Sequence, residues 1–196
     1  LSTRYLTDCI AAFRKKHPLV RYEFYSGNAG NVQNYIERGL LDLGLMSEPI
    51  DIRKYDFISM PVKEQWGALV QPDSPLAKKD FITPQDLLGI PIISTSGEFT
   101  ESSIGKWFGE YAKQINIIAR GNLLYNEAMM AQSNIGAVIG IRLNCNYEGL
   151  RFIPLFPTLE IDTALAWKKE QIFSSATSAF IEFSAKYLKG ITCNKI

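Results

Sequence analysis

"RYEFYSGNAGNVQNYIERGLLDLGLM", Arg21 to Met46, decides how this chain folds. Val20, Tyr22 and Phe24 alternate with Arg21, Glu23 and Tyr25, the period of a half-buried strand. A Gly/Asn-rich loop follows. Asn31 is placed there to cap a helix whose apolar face is Val32, Tyr35, Ile36 and Leu40. Gly39 stands where a left-handed residue ends such a helix. Leu41 to Met46 is a short, mostly apolar run suited to the interior of a parallel sheet. Strand, helix and strand in that order point to α/β layering.

The alternation continues outward. Leu6, Cys9, Ile10 and Phe13 have helical spacing and predict a helix over 4–16. Ser2 or Thr3 can cap it, and His17-Pro18 ends it. Downstream, strands are expected at Phe57–Met60, Gln65–Gln71, Pro91–Thr95, Ile115–Ala119, Gly136–Ile141, Arg151–Leu155 and Thr163–Lys168. Thr83-Pro84 starts a short helix. Ile104, Trp107, Phe108 and Tyr111 have helical spacing, and Leu124–Ser133 reads as a helix. The last helix runs from about Ser174 to Leu188, with Gly190 as its stop.

The bulk numbers narrow the function. The chain has 196 residues, 46% hydrophobic and 21% charged, enough for one domain or two small lobes. Its net charge of +1 supplies no field toward nucleic acid or an acidic membrane. No apolar run is long enough to span a bilayer, and LSTRYLTD shows no signal peptide. Cys9, Cys145 and Cys193 lie far apart and are odd in number. They make no disulfide framework and no metal spacing, which fits a reducing, cytoplasmic setting.

Catalytic patterns are missing. "SGNAGN" lacks the glycine spacing of a dinucleotide loop, and there is no phosphate-binding G-x-x-x-x-G-K-[ST]. Asp42 reads as a carboxylate that accepts backbone N–H bonds in a connection. The one histidine, His17, sits at a helix end beside Lys15 and Lys16, so a nucleophile has no evident base. Cys9 reads as a packing residue, and Trp66 and Trp107 as core. No metal and no cofactor is called for, and an enzyme is not expected.

What remains is a recurring pattern at strand ends. Ser47 follows one strand, Ser94, Thr95 and Ser96 end or follow another, and Asn122 follows a third; Ser2 and Thr3 precede the first helix. In parallel α/β sheets ligands sit at such places. Each residue alone reads equally well as a helix cap. Together they make a candidate site for a small polar ligand.

The order and spacing of several stretches resemble the effector-binding domain of LysR-type transcriptional regulators over nearly the whole chain. "FRKKHPLVRYEF" (13–24) resembles the family's F-x-x-x-x-P-x-V segment, and "VQNYIERGLLDLGLM" (32–46) its helix followed by G-x-x-D-x-x-[IL]. "ALVQPDSPLAKKDFITPQDLLGIPII" (68–93), "MMAQSNIGAVIGI" (129–141) and "ALAWKKEQIFSSATSAFIEF" (164–183) resemble later parts. Asp73-Ser74 replaces the family's turn histidine, Asn134 takes a glycine position, and Arg142 stands near its usual proline. The family has already placed a first strand before the point where LSTRY begins, and its winged helix-turn-helix is not in this chain.

The resemblance implies an α/β fold of two Rossmann-like lobes, of the type 2 periplasmic-binding-protein kind. Lobe one is expected at 1–76 and 164–196 and lobe two at 77–163, with Gln71–Leu76 and Asp162–Ala166 side by side as hinges. It implies a small polar or anionic effector in an inter-lobe cleft bounded by Ser2, Thr3, Ser47, Ser94, Thr95, Ser96, Asn122 and Arg142. It also implies a homodimer or higher homo-oligomer, pairing through Leu6–Lys16 and Val20–Tyr25, with DNA bound only through the absent domain and no membrane partner. A transporter's solute-binding protein, or an enzyme on the same scaffold, are the alternatives.

Overall fold

The structure is a computed structural model. It describes residues 1–47, 50–51, 53–95, 102–143 and 145–193, without the side chains of Thr95, Thr192 and Cys193. The chain divides into two compact units, Leu1–Glu64 with Ile161–Ile196 and Gln65–Glu160. The helices are α1 (Ser2–Lys16), α2 (Ala29–Glu37), α3 (Ser103–Phe108), α4 (Leu124–Gln132) and α5 (Ser175–Cys193). The strands are β1 (Gly44–Ser47), β2 (Tyr55–Val70), β3 (Ile92–Thr95), β4 (Ile117–Gly121), β5 (Ala137–Ile141), β6 (Arg151–Pro154) and β7 (Glu160–Lys168).

In the first unit β1 pairs antiparallel with β7, Gly44 opposite Ala166 and Ser47 opposite Thr163, and β7 lies beside β2. Successive side chains leave a strand on opposite faces. Leu45 and Leu165 therefore pack with Cys9, Phe13, Phe180 and Leu188 under α1 and α5. Met46 and Ala166 pack with Val32 and Ile36 of α2 on the other face. Phe13 is fully buried, so its truncation to alanine should cost about 3–5 kcal/mol.

Several sequence expectations are corrected here. Residues 20–25 belong to no helix or strand, and they pair with no strand among the described residues. β1 is antiparallel to its neighbour, and it closes one end of the strand order instead of filling an interior. Ser2 does not cap α1: it lies inside the helix, Leu1 takes the cap position, and no side chain caps it. Asn28, not Asn31, caps α2, its side chain accepting from the Asn31 N–H at 2.8 Å. Gly39 does adopt φ +69, and Asn134 takes φ 59 at its glycine-like position. Helix α5 passes through Gly190, because Leu188 is buried and Ile191 still packs on the core beneath it. That contact outweighs the roughly 1 kcal/mol glycine penalty.

In the second unit β3 lies between β4 and β5 and is parallel to both. The end of β2 pairs antiparallel with β5, Trp66 opposite Ile141, and with β6, Gly67 opposite Pro154. α4 covers one face, Ala128 and Ala131 resting on Leu69, Ile93 and Val138. The two strands expected at Phe57–Met60 and Gln65–Gln71 are one continuous strand, β2, running through Pro61. Its Trp66–Val70 end pairs within the second unit, so residues 65–76 leave the first lobe assigned to them. The chain passes between units at Glu64–Gln65 and Glu160–Ile161.

Candidate functional site

In the first unit the candidate residues meet at the end of β1. Ser2 is 2% exposed, and its hydroxyl shares a 2.6 Å hydrogen bond with that of Thr163. Thr163 is the register partner of Ser47, which is exposed. The Ser2 N–H donates to Glu64 Oε1 at 2.6 Å. Burial pushes the Glu64 carboxyl up, and the Ser2 N–H and hydroxyl pull it down. Thr3 is exposed and takes no part in this cluster. Asp42 is also exposed, and among the described residues its carboxylate accepts from the Thr177 hydroxyl at 3.5 Å, not from backbone N–H groups.

In the second unit the candidates share the carboxyl ends of β3, β4 and β5. Ser94 is wholly buried, and its hydroxyl has no hydrogen-bond partner among the described residues. Thr95 ends β3, its side chain outside the described residues together with all of Ser96. Asn122 is exposed just past β4. Arg142 is exposed just past β5; its N–H donates to Gln65 O at 2.7 Å and its guanidinium lies 5.6 Å from the centre of the Phe152 ring. Arg142 also lines a cavity of about 320 Å³ with Leu69, Leu143, Asn146, Tyr147 and Phe152 among its walls. The Tyr147 phenol is pushed up to about 12 by burial and by Cys145 beside it. The cavity thus offers one cation and two aromatic rings, a setting for a small molecule with an acidic group and a flat body.

Two residues of this geometry were not singled out from the sequence. Glu64 follows the inward phase of β2, because Met60, Glu64 and Trp66 are all buried. Glu127 is 1% exposed, and neither carboxylate oxygen has a partner among the described residues. Leu124, Glu127, Ala128 and Ala131 have the spacing of one helix face, which was the available signal. The Glu127 carboxyl fills the space a side chain at Gly121 would take: a Cβ there would stand 2.5 Å from Oε1. Burial alone pushes this carboxyl up. Trp107, read as core, is half-buried, its indole N–H donating to Pro157 O at 2.6 Å. Among the described residues no group of His, Cys, Asp and Glu could hold a metal ion, and no helix is long and apolar enough to cross a membrane.

Residues 1–189 match the model of the LysR substrate binding domain family. The chain belongs to this family. It is a LysR-type effector-binding domain, with the mixed α/β architecture of that group. It is 25% identical over 197 residues to the Hca operon transcriptional activator HcaR of Escherichia coli (strain K12), covering 95% of this chain and 64% of that protein. It is 30% identical over 139 residues to the HTH-type transcriptional regulator MetR of Buchnera aphidicola subsp. Schizaphis graminum (strain Sg), covering 69% of this chain and 44% of that protein. The effector-binding domain thus spans less than two thirds of the length of either curated relative. Its fold is similar to the effector binding domain of QuiR, solved in complex with shikimate, at TM-score 0.81 and 21% identity over 94% of this chain and 90% of that one. The Synechocystis PCC6803 CcmR regulatory domain in complex with 2-PG gives TM-score 0.78 and 14% identity over 97% of this chain and 94% of that one.

Proposed function

We propose that this domain is the sensor of a LysR-type transcriptional regulator, and that it binds a small polar or anionic effector. The observation that carries the ligand class is Arg142 at the carboxyl end of β5, exposed on the wall of a cavity of about 320 Å³. A guanidinium there can take a carboxylate through two parallel hydrogen bonds, while Phe152 and Leu143 supply an apolar wall. Ser94, Thr95, Ser96 and Asn122 are the neutral donors that this reading adds within the second unit; Ser2, Thr3 and Ser47, which belong to the first unit, are left aside. DNA is then bound through another part of the regulator, the assembly is a homo-oligomer, the setting is cytoplasmic, and no reaction is catalysed. The curated relatives are regulators by name, which favours sensing over delivery of a solute to a transporter.

The test is a thermal-shift screen against small carboxylates and their neutral analogues, followed by titration calorimetry. A ligand that binds only the native state raises stability by RT ln(1 + [L]/Kd), so binders appear as upward shifts. Arg142→Ala should weaken a carboxylate binder by about 10- to 100-fold, which corresponds to one charge-assisted bond, and leave the apo melting temperature in place. Equal affinity in both proteins removes the assignment of Arg142.

A further inference from the structure

The Arg142 cavity, on the β2–β6 side of the second unit, has a single charged wall. Its guanidinium is held from two sides: Nη1 donates to Gln65 Oε1 at 3.5 Å, and the centre of the Phe152 ring lies 5.6 Å away. The Arg142 backbone N–H is tied to Gln65 O as well. The ring is seated in turn on Gly67, where an added Cβ would stand 2.2 Å from Phe152 Cζ. A strand glycine often marks such a close approach. A guanidinium placed beside a ring still has N–H groups to give to a carboxylate.

Nothing around the cavity offsets this charge. Arg142 forms no ion pair among the described residues. No other residue that lines the cavity is Asp, Glu, Lys, Arg or His. Leu143 and Phe152 are apolar, Asn146 is a neutral amide, and the Tyr147 phenol is pushed up to about 12 and keeps its proton. The charged residues nearby in the chain stay outside. Glu148 is exposed and is not a wall, and Arg151 leaves β6 on the face opposite Phe152. Glu127 is sealed over Gly121 of β4 and is not a wall either.

Walls of this kind sort ligands by charge. One carboxylate pairs with Arg142. A second would give up water with no cation to receive it. An ammonium would approach the guanidinium with no anion to balance it.

We propose that the Arg142 cavity takes a monocarboxylate whose remainder is uncharged, and that it turns away dicarboxylates and amino acids. This rests on the effector-sensing reading above and narrows it to a singly charged acid. Asn146 is then a specificity-determining residue, because a neutral amide in its place leaves an ammonium unmet.

The experiment measures affinity by calorimetry within two sets of probes. Hexanoate is compared with hexanamide, adipate and norleucine, and phenylacetate with phenylacetamide, phenylmalonate and phenylglycine. Each set keeps one skeleton and changes its charged groups. At least one of the two monocarboxylates should bind, and at least about tenfold more tightly than the rest of its set. Asn146→Asp, a near-isosteric change at an exposed position, adds a negative charge to the wall. It should weaken the monocarboxylate and strengthen the matching amino acid, so that the ratio between them falls by at least about tenfold. The proposal is overturned if a dicarboxylate or an amino acid binds as tightly as its monocarboxylate, if Asn146→Asp leaves the ratio where it was, or if neither monocarboxylate binds. Arg142→Ala then separates the two readings. A binder from the wider screen that loses affinity in that variant leaves sensing at Arg142 standing, whatever its charge; a binder that keeps its affinity removes that reading too.

Discussion

Two buried acids, Glu64 within β2 and Glu127 in the first turn of α4, are treated by the protein in opposite ways. Glu64 accepts from the Ser2 N–H, and the Ser2 hydroxyl goes on to Thr163. Glu127 is no less buried and has no partner among the described residues. Burying an ionisable group is costly unless it is paired. A closed network holds a structure together. An open one costs stability.

The contrast can be broken by mutation. The largest effect is expected at Glu64. Glu64→Ala removes the acceptor of the buried Ser2 N–H and should lower unfolding free energy by about 2–3 kcal/mol in urea melts at neutral pH. A variant as stable as wild type would contradict the network.

Glu127→Leu should do the reverse and stabilise the protein by about 1–3 kcal/mol at pH 7, because an unmet carboxyl gives way to an apolar side chain. Here the folded-state pKa is raised. The folded protein then holds a proton that the unfolded chain releases, so wild-type stability falls as pH climbs from about 4.3 through the folded value. The leucine variant lacks that slope. Its advantage should be greatest at neutral pH and smallest near pH 4, as read by thermal melting; a loss of stability at pH 7 would show that Glu127 has a partner after all. The smallest effect belongs to Ser2→Ala, which deletes one hydroxyl contact with Thr163 and should cost about 1 kcal/mol with the Glu64 contact intact.

Helix and strand alternation was legible because it depends on which residues face a core. Cys9 and Phe13 are buried as their spacing required, and Gly39 takes the left-handed geometry. Pairing was less legible. The alternation in Val20–Tyr25 reports one buried face, but it cannot report a neighbouring strand, and that segment has none among the described residues. Pro61 looked like a break between two strands. It lacks only an N–H, which matters only where that N–H would be bonded. Of the candidate site, the hydroxyl at Ser2 and the guanidinium at Arg142 could be named from position in the chain. Glu64 and Glu127 could not, because a carboxylate is read as solvent-facing by default. Only the phase of the element around it says otherwise.

β2 has a consequence for how the molecule breathes. Its residues Tyr55 to Glu64 belong to the first unit, while Gln65 to Val70 are held by β5 and β6 in the second. A backbone amide exchanges its hydrogen only as fast as the element that locks it opens. One unbroken strand would then keep two clocks, each set by the lifetime of a different core, and the change of pace would fall at a single peptide bond.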